Sequence, residues 1–442
     1  MRIFVCVNCG FESTKWLGRC TQCGEWNTFQ EEDQVKKGKK SSPVTVHPIS
    51  IEQLASEPPE QRTKTCIPEV DRVLGGGLVP GSTTLIAGEP GVGKSTLLLQ
   101  ASLSSKRKVL YISSEESAKQ IASRAKRVSD GSKNVFVIFE NSVETVFSVC
   151  EKFKPEIVVL DAVQSFWSEE INSAPGTVSQ VRHITSKAVD FAKTKNIPVI
   201  LVGHVTKEGI IAGPKVLEHM VDAVIYFEAE GALRILRATK NRYGSTGETG
   251  IFIMNEKGLE EILDYTKYFL NQNNEEEYGS CATAVLEGSR VYILEVQSLI
   301  TRTNFPSPRR NSQGYDILRL FTILAVLEKI CGLNFQNRDV YVNVVGGMKI
   351  YDVSADLAVA LSLISSYFEI PIGGSVAFGE LGLLGEVRSV SLPEQRIKSA
   401  SRIGFKKVIC PTANTFEGTN FNGVELKLVK NIKEFAKGEV IF

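Results

Sequence analysis

Across 442 residues the chain is 43% hydrophobic and 23% charged, and 51 Lys and Arg against 50 Asp and Glu leave a net charge of +1. This is the balance of a soluble chain of roughly two to four domains, and it excludes both predominant disorder and a uniformly basic nucleic-acid-binding surface. No run of about 18 apolar residues occurs, so no membrane span is expected, and an N-terminus reading MRIFVCVNCG without a signal-peptide core points to the cytoplasm, where thiols stay reduced.

Residues 1–29 are a cysteine- and aromatic-rich module. Cys6, Cys9, Cys20 and Cys23 make two CxxC knuckles separated by ten residues. Each knuckle brings two thiolates to one ion. Two knuckles complete a closed tetrahedral zinc shell with no open position for water, so the expected role is structural. Gly10 and Gly24 follow the knuckles, where the backbone must turn tightly. The other five of the nine cysteines (Cys66, Cys150, Cys281, Cys331, Cys410) are scattered and read as ordinary core or surface residues. Residues 30–64 carry EED, KKGKK, SSP and EPPE and read as a linker.

Residues 65–264 alternate apolar runs with helical segments. The runs at 83–87 (TTLIA), 109–113 (VLYIS), 135–139 (VFVIF), 157–160 (IVVL), 199–202 (VILV) and 223–227 (AVIYF) describe a mainly parallel sheet buried on both faces. Runs at 233–236 and 251–254 flank a glycine-rich turn and suggest a hairpin-like extension. Polar, acidic residues 265–280 read as a second linker. Residues 281–442 start a different α/β pattern, with helical stretches at 317–330 and 356–366.

Within the first α/β region, Gly88, Glu89, Pro90, Gly91, Val92, Gly93, Lys94 and Ser95 spell GxxxxGK[ST] between an apolar strand and a helix. Backbone N–H groups of such a loop cradle phosphates. Lys94 is expected to bridge the β- and γ-phosphates of ATP, and the Ser95 hydroxyl to hold Mg2+. Thr96 is placed near the α-phosphate. Asp161 ends the apolar run at 157–160, the Walker B pattern, and is the expected magnesium-side carboxylate. Hydrolysis also needs a group to orient water. Tyr111-Ile-Ser-Ser-Glu115-Glu116 sets two carboxylates at the end of a strand; Glu115 is the candidate general base and Glu116 the reserve. His204 ends a later run as a candidate γ-phosphate sensor, and Gln164 could read the same region.

With these motifs in view, the chain resembles the bacterial RadA (Sms) DNA repair family, relatives of RecA and of DnaB-type replicative helicases. Four features carry the resemblance over nearly the whole chain. They are the cysteine module with Lys15-Trp-Leu-Gly18 and Trp26-Asn-Thr28, and the core around Gly75-Gly-Gly-Leu-Val-Pro-Gly81 with the phosphate loop. The others are Lys240-Asn241-Arg242-Tyr243-Gly244, similar to the family's KNRFG with Tyr for Phe, and a C-terminal region similar to the proteolytic domain of Lon. The resemblance implies a zinc ribbon, a RecA-like ATPase core and a Lon-like α/β domain. It implies a DNA-dependent, helicase-like ATPase that binds single-stranded and branched DNA, promotes branch migration in recombination and assembles as a hexameric ring, with RecA recombinase as a partner. In such rings ATP lies between subunits, and Lys240 and Arg242 suit catalysis from a neighbour, contact with DNA, or both. Asn241 and Gly244 would shape the turn, and the Tyr243 ring would pack. The Gly203–Gly213 segment falls where RecA-like relatives carry a DNA-contacting loop, and Lys207 and Lys215 are candidate phosphate contacts. Arg302, Arg309, Arg310, Lys406 and Lys407 are candidates for duplex contact.

A Lon-like domain raises a second reading, an ATP-dependent serine peptidase with a Ser–Lys dyad. Asp352-Val-Ser354-Ala-Asp356 matches the family's GPSAG serine loop with Asp at both glycine positions. Laid gap-free on the segment that carries the lysine, residues 379–396 put Glu394 at the base position, with Lys398 one turn later. A carboxylate does not replace the lysine, so peptidase activity is not expected. A signalling ATPase like KaiC is the third reading; the cysteine module and the Lys240–Gly244 motif argue against it.

Overall fold

The computed structural model describes residues 2–6, 12–22, 24–33, 50, 61–129, 133–204, 217–262, 266–270, 277–303, 305, 307–414, 421 and 423–436. The chain divides into two compact units, Met1–Ala229 with Arg234–Glu261, and Glu230–Leu233 with Ile262–Phe442.

The N-terminal module is a small antiparallel sheet in which β1 (Arg2–Cys6) lies between β2 (Glu12–Ser13) and β3 (Phe29–Asp33). Its buried cluster holds Cys6, Cys20 and Phe29, with Phe4 and Leu17 packed against them. So little apolar material does not fold a module by itself; a staple is required.

The sheet of the first unit's α/β region has nine strands in the order β12-β11-β10-β9-β4-β8-β7-β5-β6. These are β4 (Thr83–Gly88), β5 (Val109–Ser113), β6 (Val135–Phe139), β7 (Ile157–Asp161), β8 (Val199–His204), β9 (Ala223–Glu230), β10 (Leu233–Asn241), β11 (Thr249–Asn255) and β12 (Gly258–Glu261). Strands β4 to β9 run parallel, as the apolar runs require, and β10 to β12 extend the sheet beyond β9. Side chains of β4 alternate between two cores. Ile86 joins the core under α1 (Pro68–Val73) and α2 (Lys94–Ser104), while Leu85 and Ala87 join the one under α4 (Val143–Phe153) and α5 (Val178–Lys195). Between these pairs in the chain lies α3 (Ala118–Val128), entered through a Ser117–Gln120 capping box.

One expectation fails in detail. The run at 135–139 reads as a strand buried on both faces, yet β6 is the edge strand, with Phe136 42% and Phe139 58% exposed. An apolar run identifies a strand but not how many neighbours cover it.

The second unit is built on a seven-stranded mixed sheet in the order β15-β16-β14-β13-β17-β20-β21. Its strands are β13 (Ser280–Glu287), β14 (Arg290–Arg302), β15 (Arg310–Gln313), β16 (Arg338–Val344), β17 (Ser375–Ala377), β20 (Lys407–Pro411) and β21 (Glu425–Val429). A separate ribbon pairs β18 (Glu380–Leu381) with β19 (Val387–Arg388). The unit's longer helices are α6 (Ile317–Cys331), α7 (Asp356–Phe368) and α8 (Pro393–Ile403); α7 is buried from Asp356 to Ser366. Asp356 is fully buried at its start and satisfied by Arg319, by the Tyr315 hydroxyl (2.5 Å) and by the Leu381 N–H (3.1 Å). No helix among the described residues is long and apolar enough to cross a membrane.

Candidate nucleotide site

Parallel pairing puts the carboxyl ends of β4, β5, β7 and β8 along one edge of the sheet. The register sets Gly88 beside His204 and Ser113 beside Asp161. The loop 88–95 leaves this edge from the centre of the sheet. Gly88 sits so close to the next strand that a Cβ would lie 2.2 Å from the Phe227 carbonyl oxygen, so no other residue fits. Gly91 (φ 81°) and Gly93 (φ 112°) take left-handed conformations that turn the loop into the helix. Glu89, Pro90 and Gly91 are exposed, Val92 is buried, and Lys94, Ser95 and Thr96 form the first turn of α2. The N–H groups of that turn are the orphan donors that a phosphate satisfies.

Lys94 is buried, its Nζ donating to the carbonyls of Gly88 (2.8 Å) and Glu89 (2.9 Å). Burial pulls its ammonium down to about 8, while Asp161 and Glu115 pull the other way. Phosphate oxygens are the stronger acceptors and would take over those hydrogen bonds. Asp161 is buried at the end of β7, hydrogen-bonded to the Ser95 hydroxyl and to the Tyr111 hydroxyl (2.5 Å). Burial pushes its carboxyl up, and the two hydroxyls pull it down. A hydroxyl and a carboxylate within hydrogen-bond reach are the oxygen donors that Mg2+ takes in such sites, so the residues present fit the ion.

The two acids at the end of β5 part company. Glu116 is ion-paired with Arg124. Glu115 stays at the site: its Oε1 accepts from the Ser165 hydroxyl at 2.8 Å and lies 3.8 Å from His204 Nε2. Burial and the Lys94 charge hold the His204 imidazole below its usual value, while Glu115 and Asp161 pull the other way. His204 Nδ1 and Gln164 Oε1 are buried with no hydrogen-bond partner among the described residues, while Gln164 Nε2 donates to the His204 carbonyl at 3.3 Å. Unsatisfied polar atoms at this edge suit a site that expects a polar ligand.

Lys240 and Arg242 are not brought to this edge. Their turn lies beside Asp222, which bonds to Thr83 at the amino end of β4. Five residue steps of β4, roughly 17 Å, separate that end from Gly88. Lys240 Nζ donates to the carbonyls of Glu218 (2.5 Å) and Val221 (2.9 Å), and Arg242 pairs with Asp222 at 3.2 Å, its side chain 54% exposed. Asn241 accepts from the Tyr243 N–H, and Gly244 abuts Gly75 so closely that a Cβ would lie 3.0 Å from it. The turn is therefore shaped as expected. The Tyr243 ring, expected to pack, is 39% exposed.

In the zinc module Cys6 and Cys20 are buried, and the Cys20 carbonyl accepts from the N–H of Gly24, whose φ is 79°. Two thiols closing on one small cluster fit half of a four-thiolate zinc site. Cys9 and Cys23 lie outside the described residues. Among the other cysteines Cys66 is exposed and the rest are buried; burial pushes the thiols of Cys150, Cys281 and Cys410 up to about 12, which leaves them unreactive.

In the Lon-like unit Ser354 is fully buried, and the group that meets it is neither Glu394 nor Lys398. Arg396 Nη1 donates to Ser354 Oγ at 2.7 Å, and Arg396 Nη2 pairs with Asp352 at 2.8 Å. Glu394 is turned outward and pairs with Lys398 at 3.3 Å. Glu394 and Arg396 are two apart on α8, so they point to different sides, and Ile397 and Ala400 mark the buried side that Arg396 joins. An always-charged guanidinium donates but takes no proton, so it cannot activate the serine. Of the duplex-contact candidates, Arg310 donates to the carbonyls of Arg338 (2.5 Å) and Phe335 (2.8 Å); Arg302, Arg309 and Lys406 are exposed and Lys407 partly so. Lys207 and Lys215 lie outside the described residues.

Sequence reasoning missed Tyr111, Ser165 and Arg396. The available signals were a lone tyrosine in an aliphatic strand, a hydroxyl four residues after Asp161, and an arginine on an otherwise apolar helix face.

Residues 4–31 match the family described as rubredoxin metal binding domain, residues 52–209 an AAA domain, and residues 320–414 subunit ChlI of Mg-chelatase. The DNA repair protein RadA of Bacillus subtilis is 47% identical, over 98% of this chain and 97% of its own. That of Aquifex aeolicus is 45% identical, over 99% and 98%. A solved structure of the RadB recombinase aligns with 45% of this chain and 99% of its own at 21% identity and a TM-score of 0.37, and adds nothing to these matches. With a zinc-ribbon module, a RecA-like phosphate-loop core and a Lon-like unit in one chain, and near-half identity from end to end, the chain belongs to the RadA family of DNA repair proteins.

Proposed function

We propose that the chain is a DNA-dependent ATPase and helicase-like motor of recombination and repair. It binds single-stranded and branched DNA and drives branch migration as a hexameric ring, alongside a RecA-type recombinase in the cytoplasm. One observation carries the reading. Lys94, Ser95, Asp161, Glu115 and His204 meet at one edge of the sheet, while Lys240 and Arg242 lie at the other, out of reach of their own phosphate loop. A site finished by a neighbour's cations turns over only when subunits are correctly placed, which is how a ring couples hydrolysis to movement along DNA. The relatives named as DNA repair proteins support the choice of polymer.

In this reading the loop N–H groups and Lys94 bind and orient the phosphates. Mg2+, when bound, neutralises phosphate charge, and Ser95 and Asp161 would hold it. Glu115, fixed by Ser165, takes the proton of the attacking water. His204 stands where it can register the γ-phosphate. Arg242, and Lys240 once released from its carbonyls, stabilise transition-state charge in the adjoining subunit. The buried Ser354 under Arg396 speaks against peptidase chemistry. The test is steady-state ATP hydrolysis with and without single-stranded DNA. The wild-type chain is stimulated by DNA and Lys94→Ala is inactive in both conditions; hydrolysis indifferent to DNA would refute the motor.

A further inference from the structure

Tyr111 is an oddity of the core. It lies 2% exposed in the middle of β5, among Val109, Val159, Ile121 and Leu97, where a phenylalanine would pack as well and need no polar partner. A buried phenol hydroxyl must donate to something. Its acceptor is Asp161 Oδ2 at 2.5 Å.

The pairing follows from the register. Strand β5 runs parallel to β7, with Tyr111 opposite Val159 and Ser113 opposite Asp161. Residues two apart share a face of the sheet and are separated by roughly 6.6 Å along the strand, about the length of a tyrosine side chain. A ring lying along the strand direction therefore delivers its hydroxyl to the carboxylate at the strand end. On the other side the carboxylate meets the Ser95 hydroxyl, on the first turn of α2. It is thus gripped between a hydroxyl rooted in the core and one rooted in the phosphate loop. Alone, Ser95 would leave the carboxylate free to rotate about its own bond; the second grip removes that freedom.

We propose that Tyr111 is a positioning residue for metal binding, its hydroxyl holding the Asp161 carboxylate in the orientation that receives the nucleotide-bound divalent cation. This rests on Asp161 being the metal-side carboxylate. Partners that orient a ligating carboxylate commonly govern metal affinity by about tenfold or more.

The probe is Mn2+ in the complex of full-length protein with ADP, its affinity read by electron paramagnetic resonance rather than by turnover. In Tyr111→Phe, Mn2+ affinity falls about tenfold, while ADP affinity measured in EDTA is unchanged, which also reports a folded site. Asp161→Asn loses Mn2+ affinity at least as strongly. If Tyr111→Phe binds Mn2+ like wild type while Asp161→Asn is impaired, the role of Tyr111 is overturned and the assignment of Asp161 stands. If Asp161→Asn binds Mn2+ like wild type, both fall. Should the Phe variant not fold, Tyr111→Met fills the space without a hydroxyl and carries the same expectation.

Discussion

At the scale of single residues, neighbours decide what identical side chains can do. Glu115 and Glu116 are adjacent carboxylates at one strand end, and the sequence offers both as bases. The structure separates them by their partners: Arg124 pairs with Glu116, whereas Glu115 accepts from the Ser165 hydroxyl and faces His204 at 3.8 Å. Glu115→Gln is accordingly expected to lower kcat by roughly two to four orders of magnitude while leaving ADP affinity within a factor of about two. Glu116→Gln should cost little turnover, and equal losses in both variants would contradict the assignment. The glycines, Lys94 and Ser95 were legible because a phosphate loop is contiguous and its spacing is dictated by the ligand, and Asp161 because it ends an apolar strand run. Ser165 and Tyr111 act across a fold of the chain, at positions 50 residues from their partners, so no local pattern announces them.

At the scale of elements, the Lon-like unit shows where pattern reading stops. Its helices at 317–330 and 356–366 were legible from periodicity. The environment of Ser354 was not, because a gap-free match fixes position along α8 but not which side of the helix faces inward. The helix turns Arg396 in, and its ion pair with Asp352 is almost wholly buried, with side-chain exposures of 1% and 15%. Breaking such a pair leaves a buried charge uncompensated, so Arg396→Ala should cost about 3–5 kcal/mol, measured by denaturant unfolding of this unit. Burial pushes the Asp352 carboxyl up, but the Arg396 charge and the N–H groups of Leu286 and Ser354 outweigh it and leave it below the ordinary carboxylate value. The wild type therefore holds this contribution above the unfolded carboxylate pKa and loses it as pH falls through the depressed one. In Arg396→Ala the guanidinium is gone and burial alone acts on Asp352, raising its native pKa above the unfolded one, so the cost of the substitution should be largest at neutral pH and shrink as pH falls and Asp352 takes up a proton. A cost independent of pH would mean the pair contributes nothing. Strand β6 teaches the same limit: VFVIF announces a strand, and only the assembled sheet reveals that it is the edge.

At the scale of the whole molecule, a net charge of +1 conceals local specialisation. Asp161 and Glu115 gather near Lys94 and the phosphate loop, and bases are spread over the Lys240–Gly244 turn and the exposed Arg302, Arg309 and Lys406. The order of parallel strands gives the ATPase core two unlike edges, one with a phosphate loop beside Asp161, Glu115 and His204, the other with Lys240 and Arg242, which cannot reach them. That division was invisible in the sequence, where the motifs simply follow one another, because it depends on β10 returning antiparallel to the amino end of β4. The central claim, that each nucleotide is hydrolysed between subunits, is tested most directly by mixing two chains inactive on their own, Lys94→Ala and Arg242→Ala, with single-stranded DNA present. In an equimolar mixture about a quarter of the interfaces join an intact phosphate loop to an intact Arg242, so ATP hydrolysis should return to about that fraction of wild type. A mixture as inactive as its two components would contradict the claim.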